Sequence, residues 1–206
     1  MIKRNYQKEM EKTLEKLKKS QTVPKLLLHS CCAPCSSYVL ETLSNFFNIT
    51  IFYYNPNISP IEEYELRKSE QKRLIESLDF KNRVDFLDCD YEAYEFEKIS
   101  KGLENEPEKG KRCFKCYELR LRKTALTAKN LDNDFFTTTL TVSPYKNASW
   151  INQIGERLSK EYEVKFLNSD FKKNNGYKRS IELSKKYNLY RQNFCGCKFS
   201  KSNIEK

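Results

Sequence analysis

Short apolar runs alternate along this chain with longer stretches in which apolar residues recur at helical spacing. The runs at 25–30, 49–54, 84–87, 135–141 and 164–167 predict five buried β-strands. Between them, apolar residues recur every three or four positions, as along 36–47, which predicts helices that each bury one face. Strands that alternate with helices in this way indicate a parallel sheet with helices on both faces. The pattern therefore predicts an α/β fold.

Local signals predict where several elements begin and end. Residues 3–19 are amphipathic and Pro24 follows them, so we expect an N-terminal helix that ends before that proline. A helix is predicted to begin at Pro60, because proline suits the first helical position. Ser59 would then be the N-cap, and Glu62 would complete a capping box. Residues 101–112 predict a loop. We expect a single α/β domain over residues 1–206, with a basic C-terminal extension at 172–206.

The residues best suited to chemistry follow the predicted strands directly. Cys31, Cys32 and Cys35 come after the first strand, and Asp88, Cys89 and Asp90 come after the third. In a parallel sheet the carboxyl ends of the strands meet at one edge, outside which ligands bind. We therefore expect the active site at this edge.

Net charge adds a candidate partner. Lys and Arg outnumber Asp and Glu by 38 to 28, and the excess is concentrated in residues 109–123 and 172–206. Two basic segments favour a polyanionic partner, most simply nucleic acid, although a solvated lysine-rich surface explains the composition equally well. The longest aliphatic run is the three leucines at 26–28. We therefore expect no membrane span, no signal peptide and a cytoplasmic location.

Eight cysteines in a chain expected in a reducing compartment favour metal binding or redox chemistry over structural disulfides. Cys31, Cys32, Cys113 and Cys116 together offer four thiolates, the number that a tetrahedral zinc ion or a cubane iron–sulfur cluster requires. Side chains of adjacent cysteines are expected to diverge, which favours a cluster over a single small ion. Structural zinc stays open as the alternative.

Single residues near these cysteines carry weaker signals. Cys35 is a fifth thiol, available either to the helix core or to a second metal. Cys89 is expected to be a small buried residue, and Asp90 to serve either as an oxygen ligand or in a turn. His29, the only histidine, is expected to be a core residue with satisfied hydrogen bonds.

Cys195 and Cys197 form a different kind of pair, separated only by Gly196. A disulfide between them would close a small ring that is strained and easily reduced, which favours a reversible redox role over a structural one. The alternative is that these two thiolates form half of a metal site.

Glycine is scarce, and no pair of glycines forms a phosphate-binding pattern after a strand. We therefore expect no ATP site. The predicted scaffold is Rossmann-like, similar to that of HUP and PP-loop proteins, with cysteines in place of a phosphate-binding loop.

The ordered motifs of the chain resemble the QueH-type epoxyqueuosine reductases. The similarity extends over about residues 25–200 and leaves residues 1–24 and Cys89 outside the pattern. It is carried by the segments Cys31–Cys35, Tyr54–Pro60, Arg112–Tyr117, Thr137–Leu140, Ser143–Lys146, Gly176–Tyr177 and Tyr190–Cys197.

This resemblance implies an enzyme, the oxidoreductase that reduces epoxyqueuosine to queuosine at the wobble position of tRNA. The substrates it implies are tRNAs with GUN anticodons (those for Asp, Asn, His and Tyr), bound at the anticodon arm. The two basic segments would then contact phosphates while aromatic side chains hold the splayed-out base. The electron donor is not identified by the sequence.

The resemblance also implies the cofactors. A [4Fe-4S] cluster would be bound by the four cysteines at 31, 32, 113 and 116, without cobalamin, and Cys195 and Cys197 would form a redox-active disulfide. An additional mononuclear iron is implied, with Cys35 and Asp90 as its candidate ligands. Candidate proton donors or base-stacking residues near the site are Tyr54, Tyr145, Lys146 and Tyr177.

Two other classes of function stay open from the sequence. One is a zinc-stabilised tRNA-binding module without catalysis. The other is a thiol–disulfide oxidoreductase that uses Cys195 and Cys197, or a sulfur-transfer enzyme acting on tRNA.

Overall fold

The leucines of the first strand explain why helices cover the sheet on both faces. Successive side chains of a strand point to opposite faces. In the computed structural model, which describes residues 4–201, Leu26 and Leu28 belong to one hydrophobic core and Leu27 to another. All three are fully buried. An unbroken apolar run of this kind is typical of a parallel strand at the centre of a three-layer structure.

Five parallel strands form the sheet in the order β3-β2-β1-β4-β5. The order reverses between β1 and β4, which is where doubly wound sheets open a crevice at their carboxyl edge. The strands thus confirm the predicted Rossmann-like α/β fold. Their bounds are β1 (Lys25–His29), β2 (Asn48–Phe52), β3 (Val84–Leu87), β4 (Phe135–Thr138) and β5 (Lys165–Phe166).

Helices pack on both faces of the sheet. The core on one face includes side chains from α1, α2 and α3, while the core on the other face is built by α5 and α6. Helix α7 packs along α2. None of the described helices is both long and apolar enough to cross a membrane. The helices are α1 (Tyr6–Ser20), α2 (Ala33–Leu43), α3 (Ile61–Glu76), α4 (Ala93–Ser100), α5 (Lys111–Asn130), α6 (Ala148–Tyr162), α7 (Gly176–Lys186) and α8 (Lys198–Lys201).

The predicted start of α3 is wrong. The helix begins at Ile61, and Pro60 occupies the N-cap position without any side-chain cap. Ser59 does not cap the helix; its backbone N–H donates to the carbonyl oxygen of Gly196 at 2.9 Å. The capping-box pattern failed because this backbone group is used to hold a distant segment of the chain.

Other element boundaries also differ from the predicted ones by a few residues. Strand β4 stops at Thr138, short of the predicted residue 141, because residues Thr139–Val142 form a 3-10 turn. Helix α1 begins at Tyr6 and is capped by Asn5, three residues later than predicted, and residue 3 of the predicted helix lies outside the described part. The predicted loop ends two residues early, since α5 begins at Lys111. Residues 202–206 of the predicted basic extension are likewise outside the described residues.

Gly176 provides a test of this packing, because an added Cβ would lie 1.9 Å from the carbonyl oxygen of Phe171 and 2.4 Å from the ring of Tyr38. A backbone atom cannot move aside as a flexible side chain can. We expect Gly176→Ala to lower the free energy of unfolding by about 1–3 kcal/mol, the usual cost of overpacking. Lys185→Ala on the exposed side of the same helix should change it by less than about 0.5 kcal/mol. Urea unfolding of both variants measures the difference, and equal stabilities would contradict the close contact.

A cysteine-lined candidate active site

The first strand and the helix after it determine where three thiols lie. Strand β1 ends at His29, and Cys32 is the N-cap of α2 in extended conformation. Cys31 and Cys32 therefore lie in the crevice next to the switch point, and Cys35 follows in the first turn of α2. The N-terminus of a helix carries partial positive charge, which stabilises thiolates placed there.

The sulfur atoms of this first group lie close enough to share one metal ion. The Sγ atoms of Cys31 and Cys32 are 3.8 Å apart, and those of Cys31, Cys32 and Cys35 all lie within 4.8 Å of one another. Zinc–sulfur bonds of about 2.3 Å in a tetrahedron place sulfurs about 3.8 Å apart. The expectation that adjacent cysteine side chains diverge is therefore wrong for this loop.

Helix α5 supplies a second group. Cys113 and Cys116 lie in its first two turns, and Arg120 follows four residues later on the same side of the helix. The backbone N–H of Lys109 donates to the Sγ of Cys113 at 3.3 Å, and Arg120 donates to the Sγ of Cys116 at 4.0 Å.

Two adjoining cavities connect the cysteine groups. The larger, of about 560 Å³, is lined by Cys31, Cys32 and Cys35 together with Cys195. The smaller, of about 20 Å³, is lined by Cys113, Cys116 and Cys197, and also by Cys195. Cys195 borders both, and so do four further residues, Asn57, Glu108, Arg120 and Lys146. The larger volume lies in the range typical of small-ligand sites.

Arg120 joins the elements around the cavities from a fully buried position. Its Nε–H donates to the Nε2 of His29 at 3.2 Å, and its Nη2 donates to the Oδ1 of Asn55 at 2.7 Å. The Nδ1 of the ring is hydrogen-bonded to the Oγ1 of Thr138 at 2.8 Å, and its Nε2 also lies 3.1 Å from the carbonyl oxygen of Tyr54. Burial, then the charge of Arg120, lowers the pKa of His29 to about 3. The prediction of a satisfied core histidine is confirmed.

Two cations, Lys146 and Arg120, line the same cavities as the thiols. Lys146 follows β4 and Arg120 comes from α5. Burial alone would lower the pKa of Lys146, but the thiolates of Cys195 and Cys31 raise it. In return, hydrogen bonds from the thiols of Cys32 and Cys35, and then the charges of both cations, hold the pKa of Cys31 well below the usual value. The site thus favours the thiolate of Cys31, whereas hydrogen bonding to Cys31 raises the pKa of Cys32 and of Cys35.

The C-terminal pair is held in place by Arg67. This side chain is 1% exposed, is paired with Glu63 at 2.6 Å, and donates to the carbonyl oxygen of Cys195 at 3.3 Å. Gly196 has φ +103°, and a Cβ there would lie 2.9 Å from Nη1 of Arg67. Only glycine suits both the close approach and the backbone conformation. All eight cysteines, this pair included, are free thiols.

Other predicted site residues lie in different places. Asp90 is exposed, lines neither cavity and is not part of the Cys31–Cys35 group. Cys89 is half-buried and its Sγ donates to the carbonyl oxygen of Tyr53. Tyr54 is turned away from both cavities, since its hydroxyl donates to Glu92 at 2.8 Å. Tyr145 and Tyr177, by contrast, line the larger cavity.

Sequence reasoning missed Arg67, Arg120 and Glu108, all of which border the larger cavity. The position of Arg120 had a usable signal, because a residue four positions after Cys116 lies on the same helix face. Arg67 had none, since it meets Cys195 only through the folding of distant segments, and Glu108 lies in a loop without a periodic pattern.

The family model and the relatives found by sequence agree on one family. Residues 26–203 match the family model described as "Epoxyqueuosine reductase QueH". Relatives of the same name include those of Streptococcus pyogenes serotype M1, with 44% identity over 95% of this chain and 78% of the relative, and Thermotoga maritima, with 36% identity over 85% and 89%. A structure described as the predicted subunit of a tRNA methyltransferase from Methanocaldococcus jannaschii has 17% identity and a TM-score of 0.47, covering 78% of this chain and 74% of that chain.

The spacing of the first cysteine group predicts tight binding of a thiophilic ion by the reduced, metal-free protein. Cobalt(II) should give a sulfur-to-metal charge-transfer band, because three thiols lie within 4.8 Å of one another. Replacing Cys31, Cys32 or Cys35 singly with Ser should weaken binding by more than about tenfold. Cys89→Ser, outside both cavities, is the control and should bind as the unaltered protein does. Equal affinities in all four variants would show that the ion binds elsewhere.

Proposed function

The chain belongs to the QueH family of epoxyqueuosine reductases and is an oxidoreductase of queuosine biosynthesis, and we propose that it reduces the epoxide on tRNA in the larger cysteine-lined cavity. The observation that carries this proposal is the gathering of seven cysteines around two adjoining cavities at the carboxyl edge of the sheet. This is the edge at which doubly wound sheets bind their ligands.

The donor set suits an iron–sulfur group. Soft thiolates select iron–sulfur clusters or zinc, and the three sulfurs within 4.8 Å of one another provide a preformed part of such a site. The four cysteines at 31, 32, 113 and 116 are proposed to hold a [4Fe-4S] cluster. For an additional iron, Cys35 is supported by its place beside Cys31 and Cys32, whereas Asp90 is exposed and outside that group.

Conversion of an epoxide to an alkene with release of water consumes two electrons and two protons. When bound, the iron–sulfur group would supply electron transfer and a Lewis acid for the epoxide oxygen. The thiolate of Cys195 and the thiol of Cys197 hold two electrons and one proton between them, and Lys146 would supply the second proton. Their oxidation to a disulfide therefore balances the reaction, and an outside donor must reduce the disulfide before the next turnover.

Chain residues also provide a path for the protons. Lys146 lines the larger cavity, and its pKa is raised by the thiolates of Cys195 and Cys31 against the opposing effect of burial. It is therefore a cation beside the place where oxygen would leave, suited to stabilise and protonate an oxyanion. We assign Lys146 this role in place of Tyr54, whose hydroxyl is bonded to Glu92.

The rim of the cavity suits a nucleic-acid substrate. Tyr145 is 61% exposed, and the Nζ of Lys109 lies 5.6 Å from its ring centroid. The guanidinium of Arg191 lies 5.5 Å from the ring of Tyr177. Aromatic faces with adjacent cations are suited to stacking a splayed-out base and contacting its phosphates. We propose that the anticodon arm of tRNAs with GUN anticodons binds here.

Iron and acid-labile sulfide in the anaerobically purified protein test the cofactor. We expect a cluster spectrum, and replacing any one of the four proposed ligands with Ala should remove most of it, because each thiolate is a direct iron ligand. Cys89→Ala is the matched control and should keep full iron. Zinc at one equivalent without colour, or full iron in two or more ligand variants, would refute the cluster assignment.

The Cys195→Ser/Cys197→Ser double variant tests the redox pair. It should retain iron and tRNA binding but lose most multiple-turnover formation of queuosine in tRNA, because the electron pair can no longer be stored. Product is measured by nucleoside analysis of the tRNA. Loss of iron in this variant would make the two sulfurs metal ligands. A normal rate with the physiological reductant would remove them from the reaction.

A further inference from the structure

One carboxylate stands out on the wall of the larger cavity. The other charged residues that line it are cations, namely Arg67, Arg120, Lys146 and Arg191, and Glu108 is the single acidic one. Among the described residues Glu108 forms no hydrogen bond or ion pair. Its neighbour Lys109 has its ammonium over the ring of Tyr145. The carboxylate is therefore available to a ligand.

Glu108 lies beside the cavities that the cysteines line. It lies in the loop that leads into α5, two residues before the N-cap Gly110, and it borders both cavities. A carboxylate at the entrance of a site for a polyanion repels phosphates, so it weakens any binding that depends on the nucleic-acid backbone alone. Its position is better explained by a positive charge on the ligand itself.

Other polar atoms of the same wall also lack partners. The buried Oδ1 of Asn57 and Oε1 of Gln192 have no hydrogen bond, and the one buried donor in the same condition is Nη2 of Arg67. Buried polar atoms are almost always hydrogen-bonded in native proteins. Together with Glu108, these atoms favour a ligand that is rich in hydrogen-bond donors.

The substrate of the proposed reaction has these properties. Its base is a 7-deazaguanine joined through an aminomethyl group to an epoxycyclopentane that carries two hydroxyls. The linking nitrogen is a secondary amine, which is mainly protonated at neutral pH, and it lies between the base and the epoxide. It is the one cationic group of the modified nucleoside.

We propose that Glu108 binds the secondary ammonium of this side chain and so selects tRNA that carries an aminomethyl-deazaguanine. The proposal rests on the proposed function. The ion pair of Glu108 with the ammonium would lie between the base, which is held at the rim, and the epoxide, which is held toward the thiols. It provides a charge-assisted hydrogen bond that an unmodified guanine cannot make.

Binding measurements on the iron-loaded protein test this role with three forms of one tRNA. The first carries epoxyqueuosine, the second 7-aminomethyl-7-deazaguanine, which has the ammonium without the ring, and the third unmodified guanine. The unaltered protein should prefer both aminomethylated forms to the guanine form. Glu108→Gln should reduce each preference by roughly three- to tenfold, the range for a partly exposed charged hydrogen bond. Glu108→Asp, which keeps the charge, should retain part of it.

Glu104→Gln is the matched control. Glu104 lies in the same loop, is exposed and lines neither cavity. Its replacement by Gln therefore removes the same negative charge as Glu108→Gln without changing the cavity wall. Both preferences should be unchanged in this variant. Unchanged preferences in Glu108→Gln, or loss of its iron relative to Glu104→Gln, would overturn the proposal while the proposed function stands. No preference in the unaltered protein would also overturn it, and failure to reduce epoxyqueuosine in tRNA would refute the proposed function separately.

Discussion

The balance between buried thiolates and two cations is the constraint on which the site depends. Arg120 has 1% of its surface exposed, and a charge in such a position is tolerated only with partners of opposite charge and satisfied hydrogen bonds. The thiolates of Cys116 and Cys31 raise its pKa against the effect of burial. The same cation lowers the pKa of Cys31, so each group keeps the other ionised.

The hydrogen bonds of Arg120 also connect the elements that carry the thiols. Arg120 on α5 bonds to His29 at the end of β1 and to Asn55 after β2, and the Nδ2 of Asn55 donates to the carbonyl oxygen of Ser30 at 2.8 Å. The network therefore sets the distance between the loop of Cys31 and the helix of Cys116. A polar network that is fully bonded fixes one arrangement, because any shift would leave a buried group without a partner.

Much of the fold could be predicted from the sequence, because buried parallel strands produce apolar runs and the residues after them meet at one edge. Val84–Leu87 was predicted with its observed bounds. The start of α3 and the role of Arg67 were not predicted correctly because both depend on contacts with a distant part of the chain. The N-cap signal at Ser59 is local, but its backbone N–H serves Gly196, more than a hundred residues away. Arg67 carries no signal for the same reason, since its partners are Glu63 on its own helix and the distant carbonyl of Cys195.

The positions of Cys195 and Cys197 give the two sulfurs unequal roles. Cys195 borders both cavities, whereas Cys197 borders only the smaller one. A hydrogen bond from Cys197, followed by the charges of Lys146 and Arg120, holds the pKa of Cys195 well below its usual value. That same bond, followed by burial, raises the pKa of Cys197. Thiol–disulfide exchange proceeds through the thiolate. In the proposed reaction, Cys195, which borders the larger cavity, would therefore be the reactive sulfur, and Cys197 would hold one of the two protons that the reaction consumes.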